Sequence, residues 1–265
     1  MGKTGLDKDR HAGSIIVIYL FNTGKDTDMD KHYIEDERIM MSWMSGSTLH
    51  GLRDEYSDID SKIIGYETPE NLLLQRTTDT YDDHTTDTTI MILGRFINLA
   101  LNGAPNILEG LFAPDEFLIK HDRNADIIRH HAEWFLTGKS IDTMIRMSIS
   151  IMRKLGKNHN LEYRKSCKLQ CESMRLLRAA RETLRTGTLI FSIDNDELMA
   201  IKHGEYMNDG NLDIESWEPF YNDELKKTQA MYDASTMRKT ISDSTIEWCE
   251  SFMMDINYHR ILESR

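Results

Sequence analysis

Met44-Ser45-Gly46-Ser47-Thr48-Leu49-His50-Gly51-Leu52-Arg53-Asp54-Glu55-Tyr56-Ser57-Asp58-Ile59-Asp60 is the stretch on which the fold turns. Ahead of it, Ile39-Met-Met-Ser-Trp-Met44 is apolar and aromatic and reads as a strand running into a Gly46-Ser47 turn. Behind it, Asp58 to Gly65 alternates acidic and apolar residues and ends in Ile63-Ile64, which suits a second strand. On a strand, Asp58 and Asp60 would face the same way with Ile59 buried behind them. Carboxylates that close repel one another, and an apolar surround makes this worse. A divalent cation removes the conflict. Carboxylate oxygens completed by water and phosphate oxygens describe a Mg²⁺ (or Mn²⁺) site. Gly46-Ser47, where a strand passes into a helix, offers backbone N–H groups and a hydroxyl to a phosphate, with no Cβ to obstruct its approach.

Outward from this segment the first half reads as mixed α/β. Ser14 to Phe21 and Asp87 to Ile92 are further strand candidates, and Leu93 to Leu101 is a helix. Pro105-Asn106-Ile-Leu-Glu109 opens another short helix, for which Asn106 is the expected N-cap and Glu109 its capping-box partner. From about Asp122 apolar residues recur at helical spacing through Ile127, Trp134, Ile141, Ile145, Ile149 and Met152. The longest helix is expected over Glu162 to Arg185, stopping at Thr186-Gly187, with two or three more beyond Asn195. The fold class is therefore α+β: an α/β domain over residues 1–120 and a helical domain over 121–265.

Composition narrows the function. With 32 basic against 44 acidic residues the net charge is −12, which argues against a non-specific nucleic-acid coat protein but leaves room for a local basic groove. Cys167, Cys171 and Cys249 show no zinc-ligand spacing; an odd cysteine count without a signal peptide points to a reducing cytoplasm. The longest apolar run near the N-terminus is too short for a membrane span. His130 and His131 are adjacent, hence on different helix faces, and make no paired metal site. Gly2-Lys3-Thr4 lacks the glycine and strand of a P-loop.

Gly-Ser followed ten residues later by Asp-x-Asp resembles the signature of the DNA polymerase β nucleotidyltransferase superfamily. Within it the chain is most similar to the RlaP-type, RNA-repair-associated nucleotidyltransferases. The likeness lies in Gly46-Ser-Thr-Leu-His-Gly51-Leu, Ser57-Asp-Ile-Asp60, Phe96, Gly103-Ala-Pro-Asn-Ile-Leu-Glu109-Gly-Leu-Phe112, and Lys168 with Arg175-Leu-Leu177, spread over roughly residues 40 to 210. The resemblance implies an enzyme that moves a nucleoside monophosphate from a nucleoside triphosphate to an acceptor hydroxyl. Asp58 and Asp60 would be metal ligands, with a third carboxylate at Asp87, or failing that Asp82 or Asp83. Gly46, Ser47, Ser57, Lys168 and Arg175 would contact the nucleotide. An RNA or DNA end is the implied acceptor; a protein hydroxyl, as in AMP-transferring toxin-antidote relatives, is the alternative, and a non-catalytic nucleotide-binding module the rival from another class. Glu172 stands where a histidine is expected, and Gly-Ala-Pro-Asn replaces an expected Gly-Asn-Pro.

Overall fold

The computed structural model describes residues 34–76, 80–83, 86–157, 161–193 and 195–263. The expected strand over Ser14 to Phe21 and the Gly2-Lys3-Thr4 segment lie outside these residues.

The sheet is assembled from the apolar runs read above. β1 (Ile39–Met44) is buried along nearly its whole length, as a central strand covered on both faces must be. It pairs antiparallel with β2 (Ser61–Gly65) on one side and with β5 (Leu118–His121) on the other. β2 pairs in parallel with β4 (Thr88–Ile92), which pairs antiparallel with the short edge strand β3 (Tyr81–Asp83). The five-stranded mixed sheet thus has the order β3-β4-β2-β1-β5. Successive residues of β2 and β4 serve opposite faces: Ile63 and Ile90 join Ile34 and Ile39 in a small cluster, while Ile64 and Met91 join the main core.

The helices follow in chain order: the single turn α1 (Gly46–Leu49), α2 (Pro69–Leu73), α3 (Leu93–Leu101), α4 (Pro105–Phe112) and α5 (Arg123–His130). Then come α6 (Gly138–Lys157), α7 (Tyr163–Thr186), α8 (Asn195–Lys202), α9 (Ile214–Ala234) and α10 (Asp243–Glu263), with a two-stranded hairpin of β6 (Met207–Asn208) and β7 (Asn211–Leu212). Asp122 caps α5 by accepting from the Asn124 and Ala125 N–H groups. Gly187 ends α7 in the left-handed conformation, φ 77°, as its composition predicts. One hydrophobic cluster runs from Met40 and Trp43 on the sheet through Phe96, Phe135 and Leu177 to Trp217 and Ile256. Cys167, Cys171 and Cys249 are buried thiols. Among the described residues no helix is long and apolar enough to cross a membrane.

Three local expectations are corrected. β2 begins at Ser61, so Asp58 and Asp60 precede the strand, and Ile59 is 51% exposed where burial was expected. An apolar side chain between two charged ones in the approach to a strand has no core to enter. Asn106 does not cap α4: Ala104 is the N-cap, Pro105 takes the first helical position, and no side chain caps the turn. Proline needs no N–H partner there, so the helix starts two residues early. That start releases Glu109 from the capping role and directs it elsewhere.

Candidate active site

Two parallel strands bring their preceding residues together. Because Ser61 pairs with Thr88, Asp60 and Asp87 stand side by side at the same end of neighbouring strands. Backbone bonds fix both: the Asp60 carbonyl accepts from Ser45 N–H at 2.9 Å, and the Asp87 carbonyl from Ser61 N–H at 3.0 Å. A hydroxyl pair, Ser61 to Thr88 at 2.8 Å, ties the strand ends. Asp87 has φ 48°, a left-handed turn residue that delivers the chain into β4. Burial raises the Asp60 carboxyl above its ordinary range, and the charges of Asp87 and Asp58 push it further the same way, against Lys62 and Lys168. The charges of Asp58 and Asp87 thus both bear on Asp60, and all three offer only oxygen donors, the chemistry a hard divalent cation prefers. Among the described residues no group of three or more His, Cys, Asp or Glu is arranged to hold a metal ion, so the oxygens of a bound phosphate would have to complete any cation site here. Asp82 and Asp83 lie on the edge strand β3, where they accept from the Thr89 and Thr86 hydroxyls.

Gly46 leaves β1 with φ 58° and starts α1. This helix is a single turn of four residues, too short for a substantial dipole; its contribution is the loose backbone N–H groups of its first turn. The opposite wall comes from α4 and α7. Gly110 lets α4 settle on Trp43, where a Cβ would approach the indole to 2.8 Å, and so carries Glu109 inward. Glu109 is buried against His50 Nε2 (3.1 Å), Lys62 Nζ (3.5 Å) and Arg175 (3.9 Å). Arg175 Nη1 contacts His50 Nδ1 at 3.3 Å. A guanidinium only donates, so Nδ1 accepts and the imidazole proton sits on Nε2, pointing at Glu109. Arg175 also donates twice to Glu172, at 2.7 and 2.8 Å. Glu172, in the place of the expected histidine, is therefore the carboxylate that neutralises this arginine.

Gly46, Ser47, Ser57, Asp58, Asp60, Asp87, Lys168 and Arg175 all line one cavity of about 440 Å³. Within it their surroundings differ. Lys168 is exposed and open to a ligand. The Ser57 hydroxyl is engaged internally, donating to Asp54 Oδ1 at 2.7 Å and accepting from Lys202 Nζ at 2.8 Å. Sequence reasoning did not place Lys62, Glu109 or Lys202 in this wall. Glu109 carried a signal, since it lies in the Gly103 to Phe112 block, but the local capping pattern gave it another role. Lys202 carried none, because its partners lie some 150 positions upstream.

The family described as "RNA repair pathway DNA polymerase beta family" (RlaP) matches residues 25–247. No curated protein matches the chain. The chain belongs to this polymerase β family, and its five-stranded mixed sheet with flanking helices and further C-terminal helices is consistent with a domain of that type.

Proposed function

We propose that the chain is a metal-dependent nucleotidyltransferase: an acceptor oxygen attacks the α-phosphorus of a nucleoside triphosphate, the α–β phosphoanhydride bond breaks, and pyrophosphate leaves. The observation that carries this reading is the convergence of Gly46, Ser47, Asp58, Asp60, Asp87 and Lys168 on one cavity of about 440 Å³, room for a nucleotide. Asp58, Asp60 and Asp87 would hold Mg²⁺ or Mn²⁺, whose chemistry when bound is neutralisation of phosphate charge and activation of the acceptor hydroxyl. Gly46 and Ser47 present N–H groups and a hydroxyl to the terminal phosphates. Lys168 supplies the mobile positive charge. Arg175, already paired with Glu172, fixes the floor beneath them.

A nucleic-acid end is the acceptor this site favours. Next in sequence to Ser57 of the cavity wall stands Tyr56, 56% exposed, with the Arg164 guanidinium 3.9 Å above its ring, and Lys168, which lines the cavity, lies one turn further along α7. An exposed ring beside cations is the surface on which unpaired bases stack. The net charge of −12 supports the second reading, a protein hydroxyl as acceptor. Purified protein given each α-labelled ribonucleoside triphosphate with Mg²⁺ or Mn²⁺, and offered RNA, DNA ends or cell protein, tests both. Label on one acceptor class, lost in Asp60→Asn, is the expected result; nucleotide binding without transfer or pyrophosphate release would overturn the enzyme reading in favour of a binding module.

A further inference from the structure

The segment between Ser47 and Asp58 has little regular structure of its own, yet it delivers Asp58 and Asp60 to the cavity. Several of its polar groups are bonded by one short helix from the other half of the chain. At the start of α8, Asn195 Nδ2 donates to the carbonyls of His50 (3.3 Å) and Gly51 (3.1 Å). Gly51 has φ 65°, and a Cβ there would stand 2.5 Å from that same nitrogen, so the glycine admits both the turn and the contact. At the end of α8, Lys202 Nζ donates to the Leu52 carbonyl (2.7 Å) and Ser57 Oγ (2.8 Å) and pairs with Asp54 Oδ2 (3.0 Å). Asp54 accepts in turn from Tyr56 N–H (3.1 Å) and Ser57 Oγ–H (2.7 Å), while His203 Nε2 lies 3.3 Å from its other oxygen. Burial would raise the Asp54 carboxyl, but the bonds from Ser57 and Lys202 outweigh it and hold the group far below its usual range. α8 is itself fixed by the buried Leu198 and Ile201 and by an ion pair between Glu197 and Arg178 of α7.

Lys202 reaches the cavity wall with its side chain only 8% exposed. An ammonium has three donors, and all three are spent on the loop. We infer that Lys202 is a positioning residue and α8 a strap: together they fix the 48–57 segment so that the carboxylates that follow it keep the spacing a divalent cation needs. The cation half of this inference rests on the proposed function; the strap half does not. Outer partners that orient ligands typically contribute 10–100-fold in metal affinity.

Two measurements on the full-length chain separate these halves. Amide hydrogen exchange of residues 48–60 without metal reads the strap alone. Lys202→Met and, at the other end of α8, Asn195→Ala are expected to speed exchange there, with α7 and the sheet unchanged; unaltered exchange in both overturns the strap. Mn²⁺ binding followed by electron paramagnetic resonance reads the carboxylates. Lys202→Met is expected to weaken it about 10-fold or more and to lower kcat with KM for the triphosphate within about 2-fold. A raised KM with kcat and Mn²⁺ affinity retained would instead make Lys202 a phosphate ligand and overturn the positioning role. Faster exchange together with no Mn²⁺ binding in the wild type would sustain the strap and overturn the cation reading.

Discussion

Gly46 and Asp60 compete for one space: a Cβ on residue 46 would stand 2.1 Å from Asp60 Oδ2. Residue 46 also has φ 58°, so the glycine is required twice, once by the backbone and once by the carboxylate lying over it. Gly46→Ala is expected to cost about 1–2 kcal/mol of stability and to lower transfer about 100-fold, because Asp60 must move to admit the methyl group. Denaturant unfolding and pyrophosphate release measure the two effects. Adding Asp60→Gly should recover part of the lost stability, the backbone share remaining, but not transfer; no recovery of stability would mean that the backbone requirement alone decides.

Glu109 is a buried carboxylate among three basic side chains, and removing its charge leaves Lys62 without its carboxylate and Arg175 with Glu172 alone. Glu109→Gln is expected to destabilise the fold by roughly 3 kcal/mol at neutral pH. Burial alone would raise this carboxyl; the His50 hydrogen bond and the charges of Lys62 and Arg175 overcome it and hold the native group well below its ordinary value of 4.5. A depressed native pKa contributes stability that is present above the unfolded value and lost as pH falls through the native one. The difference between wild type and Glu109→Gln should therefore be flat from about pH 5 to 8 and shrink below about 4.5. Urea titrations at a series of pH values give the curve directly; a difference that grows on acidification would contradict it.

The elements with long, regular patterns were legible in the sequence. β1, β4, α3 and α7 follow from β-branched runs, helical spacing and the terminal glycine, since each signal is local. That Gly46, Ser47, Asp58 and Asp60 share one cavity is legible because a close turn and paired carboxylates leave a short, dense mark. The place of Glu109 is hidden because Pro-Asn-x-x-Glu satisfies a capping pattern that the proline makes unnecessary. Strand alternation carried back from Ser61 to Asp58 would bury Ile59, but the ladder stops at Ser61 and leaves the side chain in solvent. Lys202 was illegible, since its bonds run to Leu52 and Ser57, and no local pattern encodes a contact across that separation.

Tyr56 offers a test of the acceptor independent of turnover. Its ring lies under Arg164 and outside the core, so Tyr56→Ala should leave the melting temperature nearly unchanged. The loss of one stacking platform, worth about 1–3 kcal/mol per base, should weaken binding of a single-stranded oligoribonucleotide about 5- to 100-fold by fluorescence anisotropy. Triphosphate affinity should be unchanged. Equal oligonucleotide affinity in variant and wild type would remove the rim from the acceptor's path and strengthen the protein-acceptor reading.

Asp60 is held at a cost that the protein without metal should reveal. Burial and the neighbouring Asp87 and Asp58 raise its carboxyl pKa, so its ionised form at neutral pH weakens the fold relative to a neutral side chain. The sign follows from linkage: stability relative to the unfolded chain is greatest where Asp60 is protonated, and declines as pH rises through the raised native value. Asp60→Asn removes the repulsion, and in the absence of divalent cation it should raise the melting temperature at neutral pH by about 2 °C, on the order of 0.5–1 kcal/mol. That advantage should fade on acidification, as the wild-type carboxyl takes up its proton. Mg²⁺ should reverse the ranking, stabilising the wild type by mass action while leaving Asp60→Asn nearly unmoved. Calorimetry with and without Mg²⁺ at two pH values decides it: a variant less stable than wild type without metal would mean that Asp60 serves the fold first, and the site built around it would lose its main electrostatic argument.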